Sequence, residues 1–372
     1  MKRQGIRVLS LAAGQPDFLT PQFIRKAACD AIEAGHTGYA PSAGIPELRK
    51  AIRGWASKWL GVDYADDQVV VGVGAKQCLA NAMLALCGPG DRILLQAPYW
   101  VSYPEQAKIC GAEAVILPAA ERPGELNLRA LEAELDRGAK VLVLNSPSNP
   151  CGTVVPQNQL EVLCDLVASS GLFVVCDDIY DRIVFDGRQV PHVLRMRPEL
   201  AESILVVNGV SKAYSMTGWR LGWALGPADV IAAMRKLQDQ TTSNAVTFVQ
   251  HAAVAALEHG DDAVSRMVSA FERRRDMVCE MLSRIDGLRF ARPEGAFYLL
   301  VNVRDLLGRR FGGEPVGDDV RLAELLLESR QVAVVPGSGF GAAGTIRLSF
   351  AASEDDLRQA VERVADFVGE LE

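Results

Sequence analysis

Phe173-Val174-Val175-Cys176-Asp177-Asp178-Ile179-Tyr180 and Ile204-Leu205-Val206-Val207-Asn208-Gly209-Val210-Ser211-Lys212 share one pattern, a short apolar run followed at once by polar or small residues. Continuous β-branched runs without polar alternation are what strands covered on both faces require. Working outward, residues 69–73, 92–95, 114–117 and 140–144 read the same way. Helical patterns lie between them, over 75–86 and over 157–168, the second preceded by the turn Asn149-Pro150-Cys151-Gly152. This alternation predicts an α/β fold, a mainly parallel sheet with helices on both sides.

Beyond about residue 270 the texture changes. A charged helix over 271–283, short strands at 289–291 and 296–301, and a helix over 320–329 come first. Strands at 332–335 and 345–350 and a final amphipathic helix complete a smaller α+β unit. The expected division is a large domain at 36–269 and a small domain made of 1–35 and 270–372. A chain of 372 residues exceeds one ordinary core, which agrees with two domains. No repeat or low-complexity linker separates them, so they should pack directly.

The net charge of −7 carries no mark of nucleic-acid or anionic-membrane binding. The four histidines are scattered without ligand spacing and the eight cysteines stand singly with no CxxC, so neither a metal nor a disulfide framework is expected. Residues 1–11 lack the apolar stretch of a leader, and no later run is long enough to span a bilayer. A soluble, cytoplasmic protein is the expectation.

Ligands of open α/β sheets sit beyond the carboxyl ends of the strands, so the polar residues after each run are the candidates. Lys212 follows a buried strand, where partial desolvation turns an amine into a carbonyl nucleophile; a solvated loop lysine is the plain alternative. Asp177 would project into the same crevice, where a carboxylate suits a protonated ring nitrogen. Helix capping is its alternative, and it fits Asp178 better. Tyr180 is either a donor to a ligand oxygen or a packed ring. Gly72-Val73-Gly74-Ala75-Lys76 turns from strand to helix, a place that favours phosphate. Gln77 breaks the dinucleotide glycine pattern there. Arg220 offers a second phosphate contact, and Trp100 a stacking face or a core residue. Arg347, inside the apolar strand Ile346-Arg347-Leu348, needs a partner: either a ligand carboxylate or a buried acid.

Together these residues resemble the class I aminotransferases, fold type I pyridoxal-phosphate enzymes, and most closely the bacterial aspartate/prephenate branch. The resemblance runs from Leu11-Ala12-Ala13-Gly14-Gln15-Pro16-Asp17-Phe18 through Tyr39-Ala40-Pro41-Ser42-Ala43-Gly44 to Ser146-Pro147-Ser148-Asn149-Pro150-Cys151-Gly152. It continues through Ser211-Lys212, Met216-Thr217-Gly218-Trp219-Arg220 and Ile346-Arg347-Leu348-Ser349-Phe350. It implies a mainly parallel seven-stranded sheet and pyridoxal 5′-phosphate as cofactor, held as a Schiff base on Lys212. It further implies that Asp177 pairs with the ring nitrogen and that Tyr180 and Asn149 bond the ring oxygen. Trp100 would stack on the ring. Arg220 and the backbone at Gly74, Ala75 and Lys76 would hold the phosphate, with Tyr39 reaching across from a partner in a homodimer. Arg347 would clamp the α-carboxylate, aided by Asn149 and Gly14, with Phe297 and Phe340 lining the pocket. Lys76 would take the distal carboxylate of aspartate or glutamate. The implied reaction is ping-pong transfer of an amino group from an amino acid to a 2-oxo acid. Elimination, replacement or cyclisation on the same fold is the competing expectation.

Overall fold

Seven strands form the main sheet, in the order Val69–Gly72, Gly222–Leu225, Ile204–Gly209, Phe173–Asp177, Val141–Asn145, Arg92–Gln96 and Glu113–Leu117. The structure is a computed structural model describing residues 5–372; residues 1–4, part of the segment read above for a leader, lie outside it. Neighbouring strands are parallel except that Gly222–Leu225 runs antiparallel to both of its neighbours. That strand is absent from the runs picked out by sequence, because Gly-Trp-Ala-Leu is too short and mixed to register as one. Its glycine is needed: a Cβ at Gly222 would fall 2.3 Å from the Ala75 nitrogen, where the helix Ala75–Leu86 begins.

The central strands are buried along nearly their whole length, as continuous apolar runs require. Successive side chains alternate between faces. Val175, Leu205 and Val207 join one apolar cluster, while Val174, Cys176 and Val206 join the other. Asp177 therefore emerges on the face of Val175, and Asp178 on the opposite one. Asp178 sits there 3.0 Å from His192 Nε2, with Cys176 close by. His192 Nδ1 accepts the Leu194 N–H at 3.1 Å, so the imidazole proton belongs on Nε2, facing the carboxylate. This arrangement is an acid–imidazole contact.

A second, antiparallel sheet contains Val335–Pro336, Thr345–Ser349, Tyr298–Asn302 and Arg289–Phe290. The strand expected over 332–335 is two: Val332–Ala333 leaves this sheet and pairs in parallel with Leu9–Ser10. Leu11 continues the seam, its carbonyl accepting Ser349 N–H at 2.7 Å. The helix expected over 271–283 begins at Asp261 and runs to Leu282, with Asp261 and Asp262 favourably placed in its first turn. Helix Gln22–Glu33, assigned by sequence to the small domain, buries Ile24 and Ala28 in the cluster on the far face of the main sheet. The two sheets share one apolar cluster, containing Val175 of the first and Leu299 and Ile346 of the second. No described helix is long and apolar enough to cross a membrane, and all eight cysteines are free.

Candidate active site

A cavity of about 460 Å³ opens at the carboxyl ends of the main-sheet strands, against the second sheet. Lys212, Asp177, Tyr180, Ala75, Lys76, Trp100, Asn149, Arg220, Gly14 and Arg347 all line it. Four of these are cations and one is a carboxylate, so the cavity is built for anionic ligands.

Asp177 is 4% exposed and ends its strand pointing inward. Burial pushes its carboxyl up to about 6, opposed by the Tyr103 hydroxyl, which donates to it at 2.6 Å. Asn145, opposite Asp177 in the sheet, donates to its carbonyl at 2.7 Å and accepts the Asn149 N–H at 2.8 Å. Lys212 donates to the Gly14 carbonyl at 2.6 Å. Burial brings its ammonium down to about 8; Asp177 pulls the other way, and Arg220, Arg347 and Lys76 add to the lowering.

Arg347 is 7% exposed. It donates to Asn149 Oδ1 and to the Ala12 carbonyl, both at 3.0 Å, and its Nε has no partner among the described residues. Its guanidinium lies 4.4 Å from the Tyr298 ring centre and 5.0 Å from that of Phe340. Among the described residues no carboxylate acts on it, and burial draws its pKa down. A buried guanidinium left with neutral partners is costly unless an anion from outside completes it. Of the two partners left open by sequence, the buried acid is thus ruled out.

The helix Ala75–Leu86 starts without a side-chain cap, leaving its first N–H groups for a ligand. Gly74 lies just outside the cavity wall with φ +83°, and a Cβ there would come 2.6 Å from Arg220 Nη2. Only glycine lets that guanidinium approach the helix start. Arg220 itself holds a left-handed φ of 55° and donates to the Thr217 carbonyl at 2.8 Å. Lys76 Nζ rests 4.8 Å from the Trp100 ring centre. The cavity therefore offers a flat face, a buried carboxylate, a phosphate cradle and an amine, which fits pyridoxal phosphate.

Of the expected residues, Tyr39 is assigned to a partner's site and Phe297 to this one. Tyr39 is 95% exposed and away from this cavity. Phe297 does not line the cavity but packs beneath it against Tyr180 and Phe271; Tyr298 takes the wall position. Sequence reading missed Tyr103 and Tyr298. Tyr103 had a usable signal, since it follows Trp100 by three residues at a helix start, and its ring meets Trp100 edge-on at 5.3 Å. Tyr298 had none that separates it from its neighbour: alternation sends one of the two into the site, and the approach of the backbone decides which.

Residues 6–364 match the family described as aminotransferase class I and II. A probable aspartate/prephenate aminotransferase of Rhizobium leguminosarum bv. phaseoli is 41% identical, covering 99% of this chain and 93% of the relative. The aspartate/prephenate aminotransferase of Cereibacter sphaeroides is 40% identical over 99% and 92%. The crystal structure of the aspartate aminotransferase from Rhizobium meliloti superposes with a TM-score of 0.96 at 40% identity, covering 100% of this chain and 94% of that one. The Thermus thermophilus aspartate aminotransferase with maleate gives 0.91 at 39% identity, over 98% and 93%. None of these relatives is named for elimination, replacement or cyclisation. With a matching fold, an amine beside a buried carboxylate and a guanidinium awaiting an anion, the chain belongs to the class I and II aminotransferases.

Proposed function

We propose that the protein moves an amino group from aspartate or glutamate to a 2-oxo acid, using pyridoxal phosphate joined to Lys212. The observation that carries the reading is Arg347, buried without an acid partner in the same cavity as Lys212 and Asp177. When bound, pyridoxal phosphate supplies an electron sink for the pair left at Cα when its proton departs. The protein's residues do the rest. Asp177 would hold the proton on the ring nitrogen, Trp100 would cover the ring, and Tyr180 and Asn149 would bond the ring oxygen. Arg220 and the helix start after Gly74 hold the phosphate. Arg347 and Asn149 orient the substrate so that its Cα proton faces Lys212, whose lowered pKa suits an amine that must take and return a proton near neutrality.

Charge matching favours a dicarboxylic donor. Once Arg220 is matched by phosphate, Asp177 by the ring nitrogen and Arg347 by the α-carboxylate, Lys76 is left for a second carboxylate. Tyr39, standing 95% exposed, would complete a partner's phosphate site in a two-fold homodimer. We also keep the division into a large unit at 36–269 and a small one from 1–35 and 270–372, with helix Gln22–Glu33 leaning on the large sheet.

The test is an absorbance titration of the cofactor-loaded protein with amino acids one at a time. Aspartate or glutamate should bleach the visible band, and 2-oxoglutarate should restore it. A Lys76→Gln variant should raise KM for aspartate about tenfold while leaving alanine within about twofold. Equal effects on both amino acids would count against Lys76 as the distal-carboxylate residue.

The pKa of Lys212 gives a second expected outcome. Only the neutral amine attacks a carbonyl, and burial lowers this amine to about 8. Capture of pyridoxal phosphate by cofactor-free protein should therefore quicken about tenfold per pH unit below that value and level off above it. Stopped-flow absorbance would read it; a rate that keeps climbing toward the ordinary lysine value would contradict the assignment.

A further inference from the structure

Tyr298 and Tyr180 face each other deep in the wall, 1% and 4% exposed, with hydroxyl oxygens 3.0 Å apart and rings crossed at 83°. Among the described residues the Tyr298 hydroxyl has no other hydrogen-bond partner. Tyr298 sits opposite Ser349 in the antiparallel pair, so Arg347 is its diagonal neighbour on the same face, and the guanidinium stacks 4.4 Å over its ring. Its backbone is held firmly. Glu294 and Gly295 N–H both donate to the Gly152 carbonyl, at 2.8 and 2.9 Å. A Cβ on Gly152 would come 2.6 Å from the Tyr298 carbonyl, and Ala296 accepts a left-handed φ of 55° at this point. The turn ending at Gly152 is the one that carries Asn149, which holds Arg347 from its other side.

We infer that Tyr298 is a positioning residue that joins the carboxylate clamp to the cofactor, its ring backing Arg347 and its hydroxyl donating to Tyr180. The inference rests on the proposed role of Tyr180. A phenol has one proton. If Tyr180 gives its proton to the ring oxygen of pyridoxal phosphate, its own oxygen is the acceptor of the 3.0 Å bond and Tyr298 is the donor. Hydrogen bonds in such a chain strengthen one another in a dry interior. Donation from Tyr298 thus reinforces Tyr180's pull on the ring oxygen, draws charge from it, and eases loss of the proton from the Lys212 nitrogen once joined to the cofactor. A phenylalanine at 298 would pack equally well against Arg347 but would break the chain.

The test is a spectrophotometric pH titration of the visible band of cofactor-loaded protein. Tyr298→Phe should raise the midpoint by about half a unit while KM for amino acids stays within about twofold, because the ring remains. In a Tyr180→Phe background the same substitution should add no further shift. Tyr298→Leu, which removes the ring, should raise KM about tenfold for every amino acid. An unchanged midpoint in Tyr298→Phe, an equal shift in the Tyr180→Phe background, or an unchanged KM in Tyr298→Leu would each overturn the inference. Absence of a visible band in the parent protein would instead overturn the reading of Lys212, and the inference with it.

Discussion

Lys212→Ala is expected to lower amino-group transfer at least about a thousandfold, because it removes both the attachment point and the group that carries the proton. Among the described residues no other side chain stands ready to replace it. Lys76, the second amine in the cavity, lies against the Trp100 ring. Lys212 has the buried position, the lowered pKa and the contact with Gly14 that places it beside the clamp. The fold should be unaffected, since the lysine lies past the strand Ile204–Gly209 and its one hydrogen bond goes to a loop carbonyl. Single-turnover rates with aspartate check the effect. Borohydride reduction followed by peptide mass analysis checks the attachment, which should fall on Lys212 alone. A label on Lys76, or a loss of less than about tenfold, would mean that the cavity works differently.

Asp177→Asn is expected to lower the rate by about two to four powers of ten, the range for leaving a buried charge without its partner. Asparagine keeps the shape and can still meet Tyr103, so the change isolates the charge. The pH dependence has a definite sign. Burial raises the carboxyl to about 6, so in the cofactor-free protein the ionised form is present above that value and fades as pH falls through it. Affinity for pyridoxal phosphate should weaken in the same direction, and fluorescence titration at several pH values would show it. In the Asp177→Asn protein that part of the pH dependence should vanish. If affinity falls equally with pH in both proteins, the carboxylate is not what the cofactor senses.

Much of this site was legible from residues alone, because strand ends and ligand sites coincide in this kind of sheet. Asp177 and Lys212 could be placed by counting from the ends of apolar runs, whereas it is the fold that sends Asp178 to the opposite face. Other features depend on distant packing, which no local pattern records. Gly222–Leu225 is a strand because two neighbours make it one. The choice of Tyr298 over Phe297 is set by backbone contact with Gly152, far away in sequence. Tyr39 points away from the cavity of its own chain, and no local pattern marks it.

The seam between Leu9–Ser10 and Val332–Ala333 bears on how the molecule is made. Arg347 reaches the Ala12 carbonyl across 335 residues of chain, so the wall behind the substrate clamp joins widely separated segments. Contacts of such separation form late, because the intervening loop must first be closed. During synthesis the main sheet is complete once Leu225 has emerged, whereas the strand Leu9–Ser10 must wait until Val332–Ala333 has been made. Until then Leu9 and Leu11, both fully covered in the finished protein, stay uncovered. Nascent chains stalled before residue 332 should accordingly depend more on chaperones than the released protein does.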